Sequence, residues 1–255
     1  MGQGGLTSTK EEIRKLREIL EGGKRMVFFG GAGVSTESGI PDFRSVDGLY
    51  SMKYDYPPEE IISHTFFMRH TAEFYRFYRD KLLFLDAKPN AAHFALARLE
   101  SEGKLAAVVT QNVDGLHTLA GSKKVLELHG CVHRNFCMKC RKAYGVEAIL
   151  GAISAGDGIP RCTCGGIIKP DVVLYEEALD DGIMEEAVRY IAAADVLIIG
   201  GTSLVVYPAA GLIRYFHGKH LVLINKSELT VAGKAELTIR DGIGATFAAV
   251  EALEA

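Results

Sequence analysis

A doubly wound parallel α/β sheet carrying a smaller inserted module is predicted here from three observations. Short apolar runs alternate with amphipathic helical stretches, the first run empties into a glycine-rich turn, and the cysteines are confined to one interrupting segment. Alternating strands and helices imply parallel strands joined by crossover helices.

The elements follow in order. Thr9 and Glu12 form a capping-box pattern, Ile13, Leu16, Ile19 and Leu20 recur at helical spacing, and Gly22-Gly23 ends the helix. Residues 26–29 are a short apolar strand meeting Gly30-Gly31-Ala32-Gly33, after which a helix is expected, the opening of a nucleotide-binding unit. Residues 45–58, with Gly48 and Pro57-Pro58, read as a loop. A helix is expected over 71–85, with Phe74, Phe77, Tyr78 and Leu82 on one face. Another opens at Pro89-Asn90, buries Ala92, Leu96 and Leu99, and closes at Gly103. The strand 105–109 runs into Thr110-Gln111-Asn112. Between 131 and 169 the rhythm fails, with one short helix near 147–153. It resumes with a helix at 183–193, a strand at 195–199, a helix at 208–216, and strands at 221–224 and 237–239.

With 255 residues, 48% of them hydrophobic, the chain fills one large domain or one domain with a satellite. A net charge of -3 gives no electrostatic case for nucleic acid or acidic membranes. The polar N-terminus has no apolar leader core, so no secretory signal is expected and the cytoplasm is the default location. Residues 196–213 carry no charge, but Gly200, Gly201, Thr202, Ser203, Tyr207 and Pro208 suit a strand, a loop and a helix start better than a membrane span.

Four places carry candidate chemistry. Gly31, Ala32 and Gly33 follow a strand, so their N–H groups suit a pyrophosphate. Thr36 stands where the dinucleotide fingerprint needs glycine, and an ordinary tight turn is the alternative. The run Ser38-Gly39-Ile40-Pro41-Asp42-Phe43-Arg44 suits a closing lid. Cys137 and Cys140, then Cys162 and Cys164, make two knuckles around one tetrahedral ion, with Zn²⁺ the expected occupant in a structural role. A redox dithiol is the competitor and leaves the second pair unexplained; Cys131 is a spare, read as a small buried hydrophobe. The polar run from Thr110 to His117 lies past a buried strand, where such folds bind ligands, although an Asn/Asp turn has the same composition. Of eight histidines, His129 follows a largely apolar run and precedes Gly130, which places a neutral imidazole base at another strand end.

Together these motifs resemble the sirtuin family over nearly the whole chain, in a bacterial type with a four-cysteine zinc ribbon. Gly31-Ala32-Gly33-Val34-Ser35 with 38–44, Thr110 to His117, His129-Gly130, Gly201-Thr202-Ser203-Leu204 with Val206 and Pro208, and the four cysteines carry the likeness. It implies a Rossmann-like domain of residues 1–44, 89–130 and 170–255. A small domain is implied from a helical module, 45–88, and a zinc-ribbon module, 131–169. NAD is the implied co-substrate, lined by Ala32, Thr36, Phe43 and Arg44. Gln111, Asn112, Val113 and Asp114 are implied to hold the ribose and departing nicotinamide. Thr202, Ser203, Asn225, Lys226 and Ile243 are implied around the rest. His129 and Asn112 are the implied catalytic residues. An acylated protein or peptide is implied to lie as an added strand between Val173, Leu174, Tyr175 and Glu176 on one side and Leu204, Val205 and Val206 on the other.

The implied reaction removes an acyl group from lysine, releasing nicotinamide and an O-acyl-ADP-ribose. The chain departs from the family pattern at Gly30, Lys169, Tyr175-Glu176 and the Cys-x-Cys spacing. Relatives that favour acidic acyl groups carry a Tyr and an Arg three residues apart on the helix at 71–85. Here the matching pair is Tyr75 and Tyr78, with Arg79 one residue further on, so an uncharged acyl group, acetyl first, is expected. Protein ADP-ribosylation and a non-catalytic NAD- or nucleic-acid-binding module are the alternatives. A monomer is expected, with no membrane partner.

Overall fold

The structure is a computed structural model that describes residues 8–43, 55–152, 156–229 and 232–253. Helix α1, Lys10–Gly22, starts at the Thr9 capping box and ends against Gly23. Strand β1, Met26–Gly30, is buried along its whole length. Helices α2 (Pro58–Ile61), α3 (His64–Arg69) and α4 (Thr71–Lys81) follow, then α5 (Ala91–Ser101), capped by Asn90. Next come β2 (Leu105–Thr110), α6 (Leu116–Leu119), β3 (Val125–Glu127), β4 (Gly130–Cys137), β5 (Ala143–Tyr144), α7 (Glu147–Gly151) and β6 (Ile168–Val172). The chain closes with α8 (Asp181–Ala192), β7 (Val196–Gly200), β8 (His220–Ile224), β9 (Leu237–Ile239) and α9 (Ile243–Ala252).

Six strands form one parallel sheet in the order β3-β2-β1-β7-β8-β9. Successive residues of a strand face opposite ways. Met26 and Phe28 therefore pack with α1, α5 and α9 on one face, while Val27 and Phe29 pack with α8 and residues 209–215 on the other. Both faces are covered, which is why the strands are apolar runs without alternation. Strand order reverses direction between β1 and β7, making a switch point at their carboxyl ends, where a crevice for a ligand forms in such sheets.

Strands β5-β4-β6 form a small antiparallel sheet. A third core joins it to the helices between β1 and α5: Phe67, Phe74, Tyr75 and Tyr78 pack with Ile168, Cys137 and Cys162. Among the described residues, no helix is long and apolar enough to cross a membrane.

Several expectations change. No α-helix follows the glycine turn; two 3-10 turns, Ala32–Val34 and Thr36–Ser38, take its place. Hydrogen bonds from outside the segment fix that backbone: Asn90 Nδ2 donates to the Val34 carbonyl at 2.8 Å and to Ser38 Oγ at 3.0 Å. Residues Ala209–Tyr215 are also 3-10, with Gly211, a poor helix former, inside. Helix α4 stops at Lys81 rather than 85. Helix α7 stops at Gly151, and residue 153 of the expected helix lies outside the described residues, as do Arg44 and most of the loop at 45–58.

Candidate active site

The carboxyl ends of β1, β2, β3, β7 and β8 lie on one edge of the sheet, and each leads into a segment named above. The loops after β1 and β7 meet first. The Gly33 N–H donates to the Gly201 carbonyl at 2.7 Å, and a Cβ on Gly33 would lie 2.7 Å from the Gly201 Cα. Gly201 itself has φ +58, so neither position accepts a side chain without moving the other loop.

The β2 loop supplies a connected set of polar groups. Asn112, buried, donates through Nδ2 to Ser35 Oγ at 3.0 Å, and that hydroxyl donates to Asp114 Oδ2 at 2.7 Å. The second Asp114 oxygen accepts from the Leu116 N–H at 2.9 Å, capping α6. Gln111 Nε2 donates to Thr202 Oγ1 at 3.0 Å, which also accepts from the Leu204 N–H at 3.2 Å. One hydrogen-bonded layer thus runs from the β1 loop through the β2 loop to the β7 loop. Ser35 sits at its centre, 1% exposed, and sequence reading gave it no role. It was visible inside the glycine motif, but only the fold shows that its hydroxyl joins Asn112 to Asp114.

His129 sits in the turn between β3 and β4. Its Nδ1 lies 3.0 Å from the Gln111 carbonyl oxygen. A carbonyl only accepts, so Nδ1 carries the proton and Nε2 keeps its lone pair. Burial lowers the pKa of this imidazole below the ordinary value, partly opposed by the Gln111 hydrogen bond, so it is neutral at pH 7. Gly130 follows at φ +77, where a Cβ would run into the Asp171 carbonyl oxygen. That close approach of β6 sets the turn which presents the imidazole.

Behind this edge lie His93 and His117, both buried, with ring centroids 4.7 Å apart. Burial pushes His117 down to about 3 and His93 down as well.

The remaining expected residues spread along the same edge. Ala32, Thr36, Phe43 and Val113 are half-buried, Asn225 donates through Nδ2 to the Ser227 carbonyl, and Ser203 and Lys226 are exposed. Ile243 is buried, and its Cδ1 covers Gly200. In the segment 173–176 the N–H of Val173 donates to the His129 carbonyl, that of Leu174 to Glu177 Oε2, and that of Tyr175 to the Ile62 carbonyl. The carbonyls of Leu174 and Tyr175 in turn accept from the N–H groups of Glu177 at 3.0 Å and His64 at 2.9 Å. Glu176 adopts φ +74 with its carboxylate accepting from the Thr65 N–H at 2.8 Å. Glu177 bridges Lys169 Nζ at 3.0 Å and His64 Nδ1 at 2.9 Å. In the segment after β7, Leu204 has φ +54, while Val205 is exposed and Val206 half-buried.

The four cysteine sulfurs lie within 4.8 Å of one another, with Cys137 3.5 Å from Cys164 and Cys140 3.6 Å from Cys162. Tetrahedral Zn²⁺ with Zn–S bonds of about 2.3 Å places sulfurs about 3.8 Å apart, so the donor set fits. These spacings are far from the roughly 2.05 Å of a disulfide. Four thiolates fill the shell and leave no open position, which makes the site structural. Cys131 is buried away from it. On the ribbon, Arg134 pairs with Glu127 and Asp171, and Arg161 with Asp157.

The switch point, the half-buried imidazole beside it and the four-cysteine ribbon define a doubly wound nucleotide-binding protein with a structural metal module. The chain belongs to the Sir2 family, the sirtuins, whose model matches residues 31–208. It is 59% identical to an NAD-dependent protein deacetylase of Clostridium acetobutylicum over 92% of this chain and 96% of that one. It is 58% identical to one of Clostridium perfringens with the same coverage. A solved Sir2–p53 peptide–NAD+ structure superposes with a TM-score of 0.85 at 38% identity, over 95% of this chain and 98% of that one.

Proposed function

We propose that this protein removes acyl groups, acetyl first, from protein lysine side chains, consuming NAD and releasing nicotinamide and O-acetyl-ADP-ribose. The observation that carries the reading is the His129 imidazole, held neutral with Nε2 unprotonated on the edge lined by the Ser35–Asn112–Asp114 chain. NAD lies across the switch point. Ala32, Thr36, Phe43 and Arg44 line its nicotinamide half, with Gln111, Asn112, Val113 and Asp114. Thr202, Ser203, Asn225, Lys226 and Ile243 line the remainder.

Nicotinamide leaves the ribose C1′, and the acyl oxygen of the lysine amide attacks there. His129 takes a proton from a neighbouring ribose hydroxyl, whose oxygen attacks the acyl carbon; the bond from that carbon to the lysine nitrogen then breaks, the amine leaves protonated, and one water adds to the remaining cyclic cation and opens it to O-acetyl-ADP-ribose. Apolar walls from Phe43, Val173 and Leu174 keep water from the reactive carbon. The peptide lies between 173–176 and 204–206. Arg79 donates to the Gly158 carbonyl at 2.8 Å, and the Tyr75 hydroxyl donates to the Ile168 carbonyl. Both are thus engaged with the ribbon, which supports an uncharged acyl group. The large domain comprises 1–44, 89–130 and 170–255, and the small one 45–88 and 131–169. Unpaired thiolates holding an ion suit a reducing compartment, which supports the cytoplasm.

An acetyl-lysine peptide assay tests the function, with and without NAD, on wild type and His129→Ala. Turnover is expected only with NAD and is expected to fall roughly a thousandfold in the variant. Equal turnover by both proteins, or turnover without NAD, sinks the proposal. Mass spectrometry of the products separates O-acetyl-ADP-ribose from an ADP-ribosylated protein.

A further inference from the structure

The 3-10 turn Thr36–Ser38 is fixed from two sides. Asn90 holds it from α5, as described, and Glu37 holds it from the far end of the sequence. Glu37 Oε2 accepts from the Gly244 N–H at 2.6 Å, and Oε1 from the Ala245 N–H at 3.0 Å. These are the second and third residues of α9, whose N-cap, Gly242, has no side chain to satisfy them. A helix start presents unpaired donors and partial positive charge, so a carboxylate there is stabilised on both counts. The fit is close: a Cβ on Gly242 or on Gly244 would lie 3.0 or 2.9 Å from the Glu37 carboxylate.

The residues on either side of this contact give it significance. Thr36 belongs to the loop that lines the nicotinamide half of the site, and Thr36 Oγ1 donates to the Gly33 carbonyl at 3.1 Å. Ile243 opens α9 and packs over Gly200 at the switch point. We infer that Glu37 is a positioning residue for NAD, tying the first cofactor loop to the start of the last helix so that the two sides of the dinucleotide crevice keep a fixed spacing. The inference rests on the proposed function. Capping α9 is the bland role of the same contact, and the two roles separate experimentally.

Glu37→Ala removes both cap and tether. Adding Gly242→Ser restores an N-cap hydroxyl without restoring the tether, and Gly242 already has the extended backbone, φ -63 and ψ 136, that an N-cap serine needs. NAD KM is expected to rise about fivefold in Glu37→Ala, while peptide KM and kcat stay within about twofold. The double variant is expected to regain thermal stability but not NAD affinity. Glu37→Gln, which keeps length and loses charge, should fall between. Recovery of NAD affinity by the serine cap, or an unchanged NAD KM in Glu37→Ala, overturns the inference. Amide exchange without NAD gives a readout independent of activity. Residues 36–39 should exchange faster in both variants, and the start of α9 only in the single one; unchanged exchange at 36–39 overturns the tether. A wild type that binds no NAD overturns the proposed function instead, and exchange still decides the tether.

Discussion

The six-stranded sheet and the cysteine ribbon are held together by opposite means. The sheet buries β1, β7 and β8 between two helical layers, and its order comes from apolar packing over many residues. The ribbon has two-residue β5, short turns and little apolar material of its own, so four sulfurs and one shared core must hold it. A metal localises order in a few atoms, whereas packing distributes it. The edge proposed to be catalytic belongs to the distributed half, and the candidate substrate strand leaves β6, which belongs to the other.

Removing zinc is the strongest way to break this contrast. Structural zinc contributes on the order of 10 kcal/mol to isolated ribbons. Chelation should abolish amide protection in β4 and β6 and loosen α3 and α4 through their shared core, while β1, β7 and β8 remain protected. Simultaneous loss in both regions would show that the sheet depends on the metal after all. Phe28→Ala is the reciprocal change. Phe28 is fully buried in the sheet core, and its truncation should cost about 3–5 kcal/mol of unfolding free energy with zinc content unchanged. Acid should act on the sheet side too. His93 and His117 are held neutral in the fold but take up protons below about pH 6.5 when unfolded. Stability is therefore full above that pH and falls on acidification, at up to roughly 1.4 kcal/mol per pH unit for each group. Denaturant midpoints at pH 7 and pH 5 measure it, and His117→Phe should flatten the slope. At the junction, Glu177→Gln weakens the Lys169 and His64 contacts and the Leu174 cap. It should raise peptide KM by roughly three- to tenfold with NAD KM unchanged, in line with about 1 kcal/mol for such bonds.

Legibility in the sequence follows the same contrast. The apolar runs before Gly30, Thr110 and Gly200 announce buried strands, because parallel strands leave no polar face. The cysteine spacing announces the ribbon, because a tetrahedral ion imposes it. The turns after β1 were hidden: their 3-10 geometry answers to Asn90 and to the Gly244 and Ala245 N–H groups that Glu37 meets, partners remote in sequence. Ser35 was hidden for the same reason, since a serine in a loop is ordinary until Asn112 and Asp114 are placed on either side of it. Glu176 was legible as a departure from the family pattern, but not its left-handed backbone, which the bond from Thr65 accompanies.

The strand order has a consequence for how the chain is made. Strand β1 lies at the centre of the sheet, with β2 on one side and β7 on the other, yet β7 is synthesised long after β2. During translation the early strands therefore carry an open, fully apolar edge until residues 196–200 leave the ribosome. Long-range parallel pairing of this kind is slow and exposes unpaired backbone to other chains. A nascent chain stalled in the cysteine ribbon would hold half a sheet with nothing to close it, which makes this stretch of synthesis the period when a chaperone has most to cover.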